Sequence, residues 1–160
     1  MIKIAQLREM RPAYRFGDAE GMTLNDIQRR LEEAGTRHNV PMAFASDQVK
    51  SGSILNREIE DCLVLYHPQH PWDYYRVAIR IKWQGSIAFV YVNDYGESRQ
   101  INKHARSEAA KNDRRGKALS YKVGSAAASG LLNLGKNKNK LEQEQMWYAA
   151  ISDIFDEVIS

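Results

Sequence analysis

The sequence predicts an α+β fold: an antiparallel three- to four-stranded meander with N-terminal and C-terminal helices packed against it. Three observations carry this. The middle of the chain alternates polar and apolar residues with the two-residue period of a strand, most clearly in "YYRVAIRIKW". The links between these runs are short, which forces antiparallel pairing because a parallel partner needs a long crossover. Capped, amphipathic helical patterns stand on both sides of the strands, an order that places helices on one face of a sheet.

The elements follow in order. "MIKIAQL" reads equally as a strand or as the first turns of a helix, and residues 1–20 are expected to be a flexible N-terminus of a single domain spanning 1–160. "GMTLNDIQRRLEEAG" is a helix with Thr23 as N-cap and Asp26 at N3. Met22 and Ile27 form a hydrophobic staple, and Gly35 is the stop. Leu24, Ile27 and Leu31 line its buried face. Residues 61–67 form a strand. After a Pro-rich turn, Val77, Ile79, Ile81 and Trp83 point one way and Arg76, Ala78, Arg80 and Lys82 the other. "QG" turns the chain into "SIAFVYVND", which is apolar on both faces and therefore central. "SRQIN" adds an edge strand, and Asn102 caps a helix over "KHARSEAAKNDRR" that Gly116 ends. "KALSYKVGSAAASGLLNLG" continues with helical spacing and small residues suited to close packing. "KNKNK" is a solvated loop. Asn139 and Glu142 form a capping box for the last helix, whose apolar stripe is Trp147, Ile151, Ile154, Phe155 and Val158.

Several classes are set aside by composition. The chain has 160 residues, enough for one domain with a proper core, and a globular balance of 43% hydrophobic and 27% charged residues. No apolar run reaches the ~18 residues of a membrane span, and Lys3, Gln6 and Arg8 break any signal-peptide pattern. A single cysteine, Cys62, lies in an apolar run, so neither a disulfide framework nor a multi-cysteine zinc site forms within one chain. A reduced cytoplasmic protein with a buried thiol is the expectation. No cofactor motif is present: "GSAAASG" lacks the G-K-[ST] of a phosphate loop.

Charge is unevenly spread. Residues 99–140 hold eleven basic side chains against two acidic ones, Glu108 and Asp113, while the rest of the chain is acidic. Such a separation suits a polyanionic partner. The candidate nucleic-acid-binding residues are Lys103, Arg106, Lys111, Arg114, Arg115, Lys117 and Lys122 on the helical segment, joined by Arg76, Arg80 and Lys82 on the polar face of the sheet. No zinc finger, basic zipper or RNA-binding aromatic motif accompanies them, so contact falls mainly on phosphates.

The stretch "LYHPQHPWDYYR" is the other dense feature. His67, His70 and Asp73 have metal-ligand chemistry, which would suit a small nuclease or metal-dependent hydrolase. Pro68 and Pro71 hold each preceding histidine extended, however, and the pair does not ride a helix. A stiff loop with solvated histidines is the plainer reading. Trp72, Tyr74 and Tyr75 are then partner-binding candidates, for stacking on bases or for anchoring a protein. The alternation "YYRVAIRIKWQGSIAFVYVND" resembles the sheet of small ribonuclease-type toxins in general shape, without a catalytic set. The reading is a non-enzymatic protein that binds nucleic acid or a nucleic-acid-handling complex through its basic surface. Its alternatives are a protein–protein adaptor or inhibitor that uses loop 66–75, and the hydrolase.

Overall fold

A computed structural model gives the fold and describes residues 1–17, 21–103, 105–106 and 135–159. Its elements are β1 (Ile2–Lys3), a one-turn 3-10 helix (Ile4–Gln6), β2 (Arg8–Glu9), β3 (Tyr14–Phe16), α1 (Leu24–Arg37), β4 (Ala43–Ser51), β5 (Glu58–Tyr66), β6 (Arg76–Gln84), β7 (Ile87–Tyr95) and α2 (Gly135–Ile159). Both helices and a sheet are present, and the α+β class holds. The sheet is larger than a three- to four-stranded meander, and it is mixed. Its strands run in the order β1-β4-β5-β6-β7-β2, with β3 also on β7, and β1 lies parallel to β4.

The extra strands come from the N-terminal segment and from β4, whose sequence "AFASDQVKS" carries five polar residues and no clean alternation. The N-terminal residues also bend the sheet. β1 and β2 sit on its opposite edges, yet Arg8 follows Lys3 by only five positions in the chain. Five extended residues reach at most ~18 Å, whereas five flat inter-strand spacings span ~24 Å. The sheet must therefore curl, and the 3-10 turn between the two strands shortens the reach further.

Curling creates an inner face and an outer face. Ile2, Val49, Cys62, Val64, Ala78 and Tyr95 form a small inner core, flanked by Leu7 and Tyr66. The larger core lies on the other face, where α1 contributes Ile27, Leu31 and Ala34. α2 contributes Trp147, Ile151, Ile154 and Phe155, packed over Leu63, Leu65, Val77, Ile79, Val90 and Val92. Each fully buried aliphatic here contributes ~2 kcal/mol of transfer free energy. Both helices thus cover one face of the sheet.

Local signals explain most helix ends. Thr23 accepts from the Asp26 amide and Asp26 accepts from the Thr23 amide, which completes the capping box. The helix runs two residues past Gly35. It closes with Asn39 in the left-handed conformation (φ 55°), and the Val40 amide donates to the Gly35 carbonyl at 2.8 Å. Gly35 is required for packing instead, since a Cβ there would lie 3.2 Å from the Val40 carbonyl oxygen. "SRQIN" is helical rather than an edge strand: residues 99–103 and 105–106 are helical. Ser98, not Asn102, caps this turn, its Oγ accepting from the Ile101 amide at 3.1 Å. Residues 135–140 already belong to α2, so "KNKNK" is no loop and Asn139 no cap. Most of the basic helix and all of "KALSYKVGSAAASGLLNL" lie outside the described residues. No helix among the described residues is long and apolar enough to cross a membrane.

Candidate nucleic-acid interface

β7 ends at Tyr95, and Gly96 turns the chain at φ +86°. Two arginines from distant parts of the sequence meet at this turn, and a third follows it. Arg8 donates from Nη2 to the Gly96 carbonyl at 2.8 Å and lays its guanidinium over the Tyr75 ring, 4.6 Å from the centroid. Arg76 packs against the turn so closely that a Cβ on residue 96 would lie 3.2 Å from its Nη2. Its guanidinium lies 5.0 Å from the Trp72 centroid and 4.7 Å from that of Tyr95. Arg99 follows on the capped turn, its amide donating to the Asp73 carbonyl at 2.9 Å. Lys103 and Arg106 continue along the same helical segment and are exposed.

None of these five cations forms an ion pair among the described residues. Other cations are neutralised internally. Arg11 pairs with Asp156 and Arg37 with Glu157, both on α2. The His38 ring is 2.7 Å from Glu157. Asp94 lies behind Arg8, but burial outweighs the guanidinium and raises its pKa. Glu97 is the exposed acid on the turn.

Loop 66–75 is held rigidly beside this cluster. The His67 ring accepts from the Gln69 amide at 3.1 Å through Nδ1, and the His70 amide donates to the His67 carbonyl. Asp73 Oδ2 lies 3.1 Å from His70 Nδ1 and accepts from Gln100 Nε2 at 3.3 Å. Glu144 of α2, 0% exposed, fixes the far end: its two oxygens accept from the Tyr75 amide at 3.2 Å and from Ser98 Oγ at 2.6 Å. Burial raises the Glu144 pKa despite these donors. One buried carboxylate therefore joins the helix to both halves of the site.

The candidates separate clearly. Arg76, Lys103, Arg106, Trp72 and Tyr75 belong to this end of the sheet. Arg80 does not: it is buried, pairs with Glu60 at 2.6 Å, donates to Asn93 and has no free charge to offer. Lys82 lies six residues along β6 from Arg76, ~20 Å away, with Glu60 at 3.8 Å. Lys111, Arg114, Arg115, Lys117 and Lys122 fall outside the described residues. Tyr74 is only 3% exposed and stacks on His70 with centroids 4.1 Å apart, so it presents no surface. Trp72, by contrast, is 79% exposed.

The loop reading expects solvated histidines; His70 is partly exposed, but His67 is not solvated. His67 is buried among His70, Tyr74 and Trp147, and burial together with the nearby His70 lowers its pKa. Among the described residues no group of three or more His, Cys, Asp or Glu side chains converges to hold a metal. Cys62 is buried, and burial, with Asp47 nearby, pushes its thiol up to about 11, so it stays protonated at neutral pH and is a poor nucleophile.

Arg8, Tyr95, Gly96, Arg99, Ser98 and Glu144 are the site residues the sequence reading did not single out. Arg8 and Gly96 are far apart in the chain, and no local pattern links them. Compared with protein-family models, with curated proteins and with solved structures, the chain matches none.

Proposed function

We propose that this protein binds nucleic acid, or a complex that handles it, without catalysing a reaction, through the surface around Gly96. One observation carries the reading: the Arg8 and Arg76 guanidinium groups meet at the Gly96 turn without ion-pair partners among the described residues, beside an exposed, arginine-backed Trp72 and the exposed Arg99. Guanidinium groups fit phosphate oxygens in bidentate fashion, and an aromatic next to them suits a base. Lys103 and Arg106 extend the positive track.

Fluorescence anisotropy with a labelled oligonucleotide at low salt tests this. The triple variant Arg8→Ala, Arg76→Ala, Arg99→Ala is expected to bind at least tenfold more weakly. Arg29→Ala, Arg30→Ala on the outer side of α1 is the control and should bind as wild type. Equal losses in both variants, or no binding by wild type at any salt, would refute the proposal.

An adaptor role is the second reading, and the tip between β4 and β5 favours it. Ile54 and Leu55 there are 96% and 92% exposed, a pair of aliphatics left in water. A protein partner lost on Ile54→Ser, Leu55→Ser but retained by the arginine variant would support that reading instead.

A further inference from the structure

We infer that the nucleic acid taken at the Gly96 surface is single-stranded, with one unpaired base stacked on the open face of Trp72 and the backbone running along Arg99, Lys103 and Arg106. This rests on the nucleic-acid reading of the same surface and narrows its ligand.

The indole is the first ground. Trp72 sits in a loop stiffened by Pro68 and Pro71 and tied down at both sides. The His70 amide binds the His67 carbonyl, and the Arg99 amide binds the Asp73 carbonyl. The backbone that carries the indole is therefore held in place. One face of the ring carries the Arg76 guanidinium at 5.0 Å. No other ring packs on it among the described residues, and the side chain is 79% exposed. A flat π-surface backed by a cation is suited to stack a base. In a duplex the base faces are already stacked and only their edges reach the grooves. A base that stacks on Trp72 must be unpaired.

The cation track is the second ground. Arg99, Lys103 and Arg106 follow i, i+4, i+7 spacing on the helical segment and share one face. At 1.5 Å per residue they span ~10 Å along the helix. Among the described residues this is a one-sided line of charge that starts beside the platform, and it suits one backbone.

The experiment compares a single-stranded 12-mer with a blunt duplex of the same sequence at 50 mM salt. Trp83→Phe is the background, so that Trp72 is the exposed tryptophan reporting on contact. The expected result is at least tenfold tighter binding of the single strand, with indole quenching. Trp72→Ala should weaken the single strand about 5- to 100-fold and leave the duplex unchanged. Trp72→Phe should recover part of the loss, because a smaller ring still stacks. Trp72 is too exposed for these changes to unfold the protein. Duplex binding equal to or tighter than single-strand binding, or an unchanged Trp72→Ala, overturns the inference and leaves the nucleic-acid reading standing. If neither form binds, the broader reading falls with it.

Discussion

Glu144 is the point at which folding and the proposed site meet, and its removal has a calculable cost. Glu144→Ala deletes the acceptor of the Tyr75 amide, in a partly buried setting, and the acceptor of the Ser98 hydroxyl, in a fully buried one. Ser98 Oγ still accepts from the Ile101 amide but loses the acceptor of its own O–H, so the Tyr75 N–H and the Ser98 hydroxyl are both left without their partner. An unsatisfied buried donor costs ~1–3 kcal/mol, and a hydrogen bond to a charged group is worth ~1.5–3. Relief of the buried charge returns part of this, leaving a net loss of about 3 kcal/mol. With a urea m-value of ~2 kcal/mol/M, the unfolding midpoint should fall by about 1.5 M. Glu144→Gln keeps an acceptor and the side-chain volume and should cost under ~1 kcal/mol.

The pH dependence supplies an internal check. The folded-state pKa of Glu144 is raised above the usual 4.5, so its contribution is greatest below that value and is lost as pH rises through the folded pKa. The Gln variant should therefore gain on wild type as pH rises from 4.5 toward 7. Urea unfolding followed by circular dichroism reads all three proteins. A Glu144→Ala loss below ~1 kcal/mol, or a Gln variant as damaged as the Ala variant, would refute the reasoning.

Two further outcomes follow from the same geometry. The lowered pKa of His67 means its neutral form is favoured on folding, so its contribution is intact above 6.5 and is lost as pH falls through the depressed folded value. Wild-type thermal stability should drop between pH 7 and 5 more steeply than that of His67→Asn; parallel curves would show that His67 is not the group responsible. Gly96→Ala forces a Cβ into φ +86° and against Arg76, and should cost ~1–2 kcal/mol and weaken oligonucleotide binding. Gly85→Ala, at φ 62° with open space around it, should cost ~1 kcal/mol and leave binding unchanged. Equal binding losses in the two variants would separate Gly96 from the site.

Local patterning made much of this fold legible. Period-two alternation located β6, a run apolar on both faces located β7, and the Thr23–Asp26 capping box located α1, because these signals sit within a few residues of their effects. The paired hairpins, the helices on one face and the Trp147–Phe155 stripe followed. What stayed hidden depends on long-range closure. β4 is mostly polar because only Val49 of its nine residues is buried. The N-terminal strands are two or three residues long, too short for periodicity, and they exist because both sheet edges recruit them. Tyr74 and Tyr75 are adjacent and chemically alike, yet one is buried under His70 and the other lies beneath Arg8; a non-regular loop has no period from which to assign a side. Arg80 read as free charge because Glu60 and Asn93 reach it only across strands.

Amide and indole chemical-shift perturbation on titrating a single-stranded oligonucleotide into the whole chain locates the contact residue by residue. The largest shifts are expected at the Trp72 indole N–H and at the Gly96, Ser98, Arg99 and Lys103 amides, diminishing as salt is raised. Shifts confined to the Ile54–Leu55 tip or to α1, with the Gly96 turn silent, would overturn the placement of the ligand on this surface.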